Sequence, residues 1–206
     1  MTPKYLWPVA LVALYILPVQ SLNCAYLDQT ILENSKLLYS FIKGFPFRCL
    51  KDITNFKFPK ETLLPYIQHK KTDINVVFHQ VSALSLNIFT PKSYVSPVPE
   101  KNLEIIKSGL FKQVRQAQQC FMEEKKENRE ESSASKHPHS EDFLKVYLEL
   151  RKYFLRIRKF LTNKKHSFCA LKIVAAEIRR CFMIFYHFKN EIRYISESPT
   201  FKQELR

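Results

Sequence analysis

Hydrophobic residues recur at three- and four-residue spacing along most of the chain, which is the period of an amphipathic helix. Five such stripes can be counted, over residues 27–42, 62–89, 103–121, 143–161 and 171–188. Gly44 and Pro46 follow the first stripe, and proline stands at both ends of the segment 91–99. Glycine and proline commonly end helices. The pattern therefore predicts five helices.

The connections between these helices differ in length. The links 45–60 and 123–140 are long, whereas 162–167 is short. A long link can run the length of a bundle, and a short one joins antiparallel neighbours. The sequence thus predicts one all-α domain, a four-helix-bundle-type cytokine fold with five helices, two long crossover connections and disulfide staples. Residues 123–140 combine alternating charges with Ser, His and Pro, so we expect a mobile charged loop. We expect a frayed tail over 196–206.

The first 21 residues have the pattern of a secretory signal. Lys4 supplies a positive end, and an apolar run follows over residues 5–18. This run is short and contains proline, and no later stretch approaches 18 apolar residues, so we expect no membrane insertion. The sequence predicts cleavage after residue 21, with a secreted, extracellular domain over 22–206.

Composition argues against catalysis. The chain has 2 glycines, Gly44 and Gly109, standing far apart. Phosphate-binding loops, dinucleotide fingerprints and nucleophile elbows all need clustered glycine. No metalloprotease motif or family-like spacing of Ser, His and carboxylate occurs, and His137 and His139 lie in the charged segment. We expect no enzyme activity, no cofactor and no metal.

The 5 cysteines stand at positions 24, 49, 120, 169 and 181, all after the predicted signal. An oxidising destination makes disulfides the expected use of at least four of them. No pair has the CxxC spacing of zinc ribbons or thioredoxin-like redox sites. We therefore expect the cysteines to form structural disulfides, although their spacing alone leaves every pairing open.

The chain is strongly basic, with 33 Lys and Arg against 19 Asp and Glu, a formal net charge of +14. Clustered cations near the predicted fourth helix form a candidate polyanion face, made of Lys152, Arg156, Arg158, Lys159, Lys164 and Lys165. A secreted protein rarely meets nucleic acid, so cell-surface glycosaminoglycan is the candidate partner and nucleic acid is not. The simpler interpretation is that these residues are the solvated faces of amphipathic helices.

Three blocks of sequence carry a resemblance to a known family. They are CLKD at 49–52 followed by FKFPKE at 56–61, NIFT at 87–90, and the run from LRKYF at 150–154 through CA at 169–170 to AEIRR at 176–180. These blocks and the cysteine positions resemble the type I interferons over about residues 22–190. The resemblance implies a helical cytokine, not an enzyme, that brings together two receptor chains and thereby triggers Janus kinase and STAT signalling.

The resemblance also implies roles for individual residues. Disulfides Cys24–Cys120 and Cys49–Cys169 are implied, with Cys181 left free. The high-affinity receptor chain would meet Leu50, Lys51, Ala176, Arg179 and Arg180, and the low-affinity chain Asn87 and Arg151. Ile53 and Ala175 stand where several interferons have arginine, so we expect weaker binding to the high-affinity chain. We expect a monomer. The alternative function is a secreted basic helical protein that acts mainly by binding polyanions.

Overall fold

The computed structural model describes residues 19–69, 74–90, 99–131 and 141–197, and every regular element within these ranges is helical. The helices are α1 (Val19–Ile42), α2 (Lys60–His69), α3 (Ile74–Phe89), α4 (Glu100–Glu131), α5 (Glu141–Asn163) and α6 (Phe168–Glu197). A short 3₁₀ helix, Phe47–Asp52, lies between α1 and α2. The all-α prediction is confirmed.

The second predicted helix, over 62–89, is two helices in the structure. α2 ends at His69 and α3 begins at Ile74. The sequence QHKKTD at 68–73 contains no apolar residue, so the apolar stripe is interrupted there. The apolar residues on either side keep helical spacing, so the sequence pattern did not predict the end of one helix and the start of the next.

The fourth helix of the structure, α4, continues well past its last core-facing residue. It reaches Glu131, so the prediction of a loop starting at 123 is wrong for residues 123–131. This stretch, EEKKENREE, consists mostly of Glu, Lys and Arg, which favour helix by intrinsic propensity even without an apolar stripe. The rest of the predicted loop, 132–140, lies outside the described residues.

The outer ends of the helical domain differ slightly from the prediction. α6 runs to Glu197, so helix extends beyond position 196, and 198–206 lie outside the described residues. α1 begins at Val19, shortly before the predicted cleavage point. Residues 1–18 also lie outside the described ranges, and the signal peptide stays a prediction.

α1 runs antiparallel to α4, and a buried polar layer joins them. Cys24 is bonded to Cys120 at one end, and farther along α1 Asn34 Nδ2 donates to Gln113 Oε1 at 2.7 Å and to Gly109 O at 3.0 Å. Gln113 Nε2 in turn donates to Ser82 Oγ of α3 at 3.0 Å. A Cβ on Gly109 would stand 2.2 Å from Asn34 Oδ1. The absence of a side chain at Gly109 therefore lets α1 and α4 approach closely.

α1 is also antiparallel to α6, with polar contacts at both ends. Lys189 Nζ lies 2.9 Å from Asp28 Oδ1 near the start of α1. At its end, the buried Lys172 donates from Nζ to Lys43 O at 3.0 Å. A cation there satisfies carbonyls that have no partner within the helix and complements the helix dipole. Gly44, at φ 70°, then turns the chain out of α1.

Apolar side chains from all six helices fill the interior. The largest fully buried side chains are Tyr153, Phe78, Phe89, Phe182 and Phe185, followed by leucines and isoleucines. Phe78 of α3 packs on two rings of α6, with centroids 6.0 Å and 5.4 Å away. α6 therefore runs through the core, and only one side of it is left to build a surface site.

Candidate functional site

The second disulfide fixes a surface between the 3₁₀ helix and α6. Cys49 is buried in the 3₁₀ helix and is bonded to Cys169 at the start of α6, with their Cα atoms 5.1 Å apart. Together with Cys24–Cys120, these are the two pairs that the family resemblance implies. Cys181 is free and buried. The exposed residues of 47–58 and the exposed side of α6 are called the loop–α6 surface below.

All five residues expected to meet the high-affinity chain lie on this surface. Leu50 is 51% exposed, and Lys51 is exposed beside it on the 3₁₀ helix. Ala176 and Arg180 are exposed on α6, and Arg179 is partly buried. The structure thus places residues more than 120 positions apart on two elements that contact each other.

Arg180 is held in one orientation by its neighbours. Its Nε and Nη2 donate to the two carboxylate oxygens of Glu177 at 2.9 Å and 2.6 Å. Its guanidinium carbon lies 5.5 Å from the centroid of the Phe58 ring, which covers it from the loop side. The hydrogen bonds to Glu177 raise the pKa of Arg180 above its ordinary value, so the cation is permanent.

Beneath this pair lies a hydroxyl from α5. Tyr153 is fully buried, and its hydroxyl donates to Glu177 Oε1 at 2.6 Å and lies 3.3 Å from Cys181 Sγ. Burial raises the pKa of Tyr153 above its ordinary value, and burial raises the pKa of the Cys181 thiol to about 12. Both groups are therefore neutral at physiological pH, and the charge at this site belongs to Glu177 and Arg180.

Arg179 joins α6 to α1 instead of pointing freely into solvent. Its Nε donates to Ser35 O at 3.2 Å, and its guanidinium carbon lies 5.2 Å from the centroid of Tyr39. Tyr39 is itself 55% exposed, so it adds exposed aromatic area beside the arginine. Tyr39 belongs to the same surface and was not predicted from the sequence.

Two further exposed apolar residues lie beside Leu50, and one of them, Phe47, was not predicted from the sequence. Phe47 is 89% exposed and Ile53 is 60% exposed, on either side of Leu50. Their spacing of three matches the period of a 3₁₀ helix, which places them in one apolar row. Apolar residues at i, i+3 and i+6 of the segment 47–53 were the available signal. Ala175, the other departure from the family pattern, is fully buried.

The residues expected to meet the low-affinity chain lie elsewhere, on helices that contact each other. Asn87 is exposed near the end of α3, and Arg151 is exposed on α5. The Arg151 guanidinium carbon lies 5.6 Å from the Tyr147 ring, one turn earlier on the same helix. Leu148 and Leu155, both about half exposed, flank it on α5. These residues form the α3–α5 surface.

Three cations of the candidate polyanion face contact a carbonyl or a carboxylate. Arg156 donates to two carbonyls of the loop, Lys164 Nζ lies 2.8 Å from Asp52 Oδ1, and Lys152 Nζ lies 2.7 Å from Glu149 Oε1. The remaining three, Arg158, Lys159 and Lys165, are exposed. The charge clusters of the sequence thus contain residues that hold the loop to α5 and to the α5–α6 turn.

Neither a membrane-spanning helix nor a metal site is present in the part of the chain that the structure describes. No helix there is long and apolar enough to cross a bilayer. No group of three His, Cys, Asp or Glu side chains in those ranges could hold a metal ion.

Comparison with known proteins matches the interferon alpha/beta domain over residues 25–192. The chain belongs to the type I interferon family. Mouse interferon kappa is 67% identical over 206 residues, covering 100% of both chains, and human interferon kappa is 35% identical, covering 91% of this chain and 94% of that one. Human interferon alpha-7 is 32% identical, covering 84% of this chain and 88% of that one.

Membership in the family accounts for several features at once. This interferon is a helical cytokine and not an enzyme. The Arg180-Cys181-Phe182 sequence and the charged segment before α5 resemble interferon kappa within the family, and the similarity to the mouse and human kappa proteins confirms that resemblance. The two disulfides and the all-helical fold agree with membership.

Proposed function

We propose that this interferon is secreted after removal of residues 1–21 and binds a two-chain type I interferon receptor on cells. Bringing the two chains together activates their Janus kinases and STAT factors, which produces an antiviral and immunomodulatory response. The observation that carries the proposal is the loop–α6 surface. Its exposed apolar row lies on a loop bonded to α6, whose outer side presents the fixed cation Arg180.

The loop–α6 surface is proposed to bind the high-affinity chain. Leu50 and its row neighbours Phe47 and Ile53 supply exposed apolar area, and Arg180 supplies a preorganised guanidinium. Apolar anchors and arginines dominate binding energy at protein interfaces. Ile53 replaces a family arginine, and such a loss costs about 2 kcal/mol, so binding is expected to be weaker than in the strongest relatives.

The α3–α5 surface is proposed to bind the low-affinity chain. Arg151 is exposed between two half-exposed leucines, and its contact with the Tyr147 ring holds its side chain on the helix surface. Asn87 lies on the neighbouring helix. Two separate surfaces on one monomer would let it hold two different receptor chains at the same time.

The test is an interferon-response reporter in same-species cells, with parallel cells lacking one receptor chain or the other. Refolded 22–206 is expected to give a signal that vanishes in both deficient lines. Arg151→Ala is expected to abolish signalling, with Arg158→Ala, an exposed arginine two turns along α5, as the matched control. Equal losses in the two variants would contradict the assignment of Arg151, and no signal from helical, correctly bridged protein would contradict the receptor function.

A second candidate function rests on the three exposed cations Arg158, Lys159 and Lys165. Clustered exposed charge attracts polyanions, and that attraction weakens steeply with salt. Replacing all three with glutamine is expected to lower the salt concentration that elutes the protein from heparin without changing reporter activity. Unchanged elution would remove glycosaminoglycan binding by this cluster as a function.

A further inference from the structure

We infer that Arg156 is a positioning residue for the loop–α6 surface, holding the turn at residues 55–58 in the one conformation that seats Phe58 against Arg180. The inference rests on the proposed receptor function of that surface. It also moves Arg156 out of the candidate polyanion face, where charge clustering alone had placed it.

The first observation is a two-pronged contact between α5 and the loop. Arg156 Nε donates to Phe56 O at 2.9 Å, and Nη2 donates to Lys57 O at 2.8 Å. These partners are 100 and 99 positions away in sequence. A guanidinium is rigid and planar, so a pair of adjacent carbonyls is gripped by two donors in a fixed geometry. A lysine at this position could supply only a single mobile ammonium.

The second observation is the backbone that this contact holds. Lys57 has φ 53°, a left-handed conformation that side chains other than glycine rarely adopt. Its N–H donates to Asn55 Oδ1 at 2.8 Å, which closes the turn from the other side. Left-handed residues persist where the surroundings impose them. The two hydrogen bonds from Arg156 to the carbonyls on either side of the Lys57 N–Cα–C unit supply that constraint.

The third observation is what the turn places on each side. Phe56 is buried with its ring centroid 5.2 Å from that of Phe160. Phe58 packs edge-on against Tyr153, with centroids 5.3 Å apart, and covers the Arg180 guanidinium. The left-handed residue between Phe56 and Phe58 lets the two rings reach these separate sites. Arg156 therefore acts on Arg180 through Lys57 and Phe58, without touching a receptor.

The test compares Arg156→Lys with Arg158→Lys. Each substitution keeps the positive charge, but only Arg156→Lys removes a guanidinium that donates to two carbonyls. We expect R156K to bind the high-affinity receptor ectodomain about tenfold more weakly, a loss of about 1.4 kcal/mol, with binding to the low-affinity ectodomain unchanged. R158K should match wild type on both ectodomains. Elution of R156K from heparin should also be unchanged, which separates positioning from polyanion binding.

A receptor-independent readout is cleavage after Lys57 by trypsin in the native protein. R156K should raise the rate of this cleavage about tenfold over R158K, because the turn opens more often when its grip is weakened. Adding Lys57→Gly to R156K should restore part of the lost affinity, since glycine adopts a left-handed φ without strain.

The outcomes distinguish the positioning role of Arg156 from the proposed receptor function. Equal tryptic cleavage and equal high-affinity binding in R156K and R158K would overturn the role of Arg156. Faster cleavage with unchanged affinity would show that Arg156 holds the turn but does not position the receptor surface. A wild-type protein that binds neither ectodomain would instead overturn the proposed function.

Discussion

The loop–α6 surface and the α3–α5 surface are built in different ways. The first is assembled from a loop and a helix that are 120 residues apart at their disulfide, and it is held by side chains from α5 and from the α5–α6 turn. The second consists of residues on the faces of helices whose own hydrogen bonds keep them in place. Mutations far from the first surface can therefore break it, whereas the second is changed mainly through its own residues.

The largest expected effect comes from removing the disulfide under the loop. Replacing Cys49 and Cys169 with serine should lower the free energy of unfolding by about 4 to 5 kcal/mol in the chain-entropy model. It should also weaken high-affinity receptor binding, because the 3₁₀ helix loses its attachment to α6. Chemical denaturation and binding to the immobilised ectodomain measure the two effects.

Its matched control is the double replacement of Cys24 and Cys120, whose bridge spans 96 residues. The stability loss should be similar, because the entropic contribution depends only weakly on loop length. Receptor affinity, measured where both variants remain folded, should be nearly unchanged. Equal affinity losses in the two double variants would remove the contrast between the surfaces.

The next largest effect is expected in the buried polar layer between α1 and α4, which belongs to neither the loop–α6 surface nor the α3–α5 surface. Gly109→Ala would place a methyl group 2.2 Å from Asn34 Oδ1. We expect a loss of about 2 to 4 kcal/mol in the free energy of unfolding, from overpacking and a disturbed buried hydrogen bond. Ser108→Ala, exposed next to it, should change stability by less than about 0.5 kcal/mol. A G109A protein as stable as S108A would contradict the close approach of α1 and α4.

A smaller effect is expected under Arg180. Tyr153→Phe removes the hydroxyl that donates to Glu177, a hydrogen bond to a charged group, so the free energy of unfolding should fall by about 1.5 kcal/mol. High-affinity binding should weaken while low-affinity binding does not, although Arg151 lies only two positions away on α5. Tyr26→Phe, at an exposed tyrosine of α1 assigned to neither surface, is the control. Equal weakening on both ectodomains would mean that the hydroxyl supports the fold and not Arg180.

The smallest effect is a pH dependence from Cys181, because burial raises the pKa of its thiol from an ordinary value of about 9 to about 12. Above pH 9 the unfolded chain releases this proton while the folded protein keeps it, so stability falls as pH rises. Between pH 8 and 9.5 the thiol should contribute a loss of at most about 1 kcal/mol. The difference in unfolding free energy between wild type and Cys181→Ala, measured at both pH values, isolates this contribution. An identical pH dependence in the two proteins would contradict it.

Periodicity predicted the fold because core packing decides which faces of these helices are apolar. Residues 143–161 and 171–188 carry unbroken stripes, and α5 and α6 cover them. Periodicity could not predict elements that do not depend on an apolar stripe. Residues 123–131 form helix through propensity, and Phe47–Asp52 forms a 3₁₀ helix in a segment expected only to connect helices.

The site was predictable to the extent that a resemblance could assign residues one by one. The sequence could not show that Arg156 donates to loop carbonyls or that Lys164 meets Asp52, because charge is visible in a sequence and its partner 100 positions away is not. Nor did spacing alone pair the cysteines. Sequence reasoning missed Tyr39 and Phe47 on the loop–α6 surface. Both are exposed aromatic residues, and only the fold distinguishes them from core residues.

The two disulfides become possible at different times while the chain is being synthesised. As synthesis proceeds from the N-terminus, Cys24 can find Cys120 while α5 and α6 are still unmade, but Cys49 must wait for Cys169. Before Cys120 is made, Cys24 and Cys49 are both available as thiols, and a bond between them would hold α1 against the loop. Correct maturation therefore depends on closing the 96-residue bridge early, or on an isomerase that reopens the wrong one.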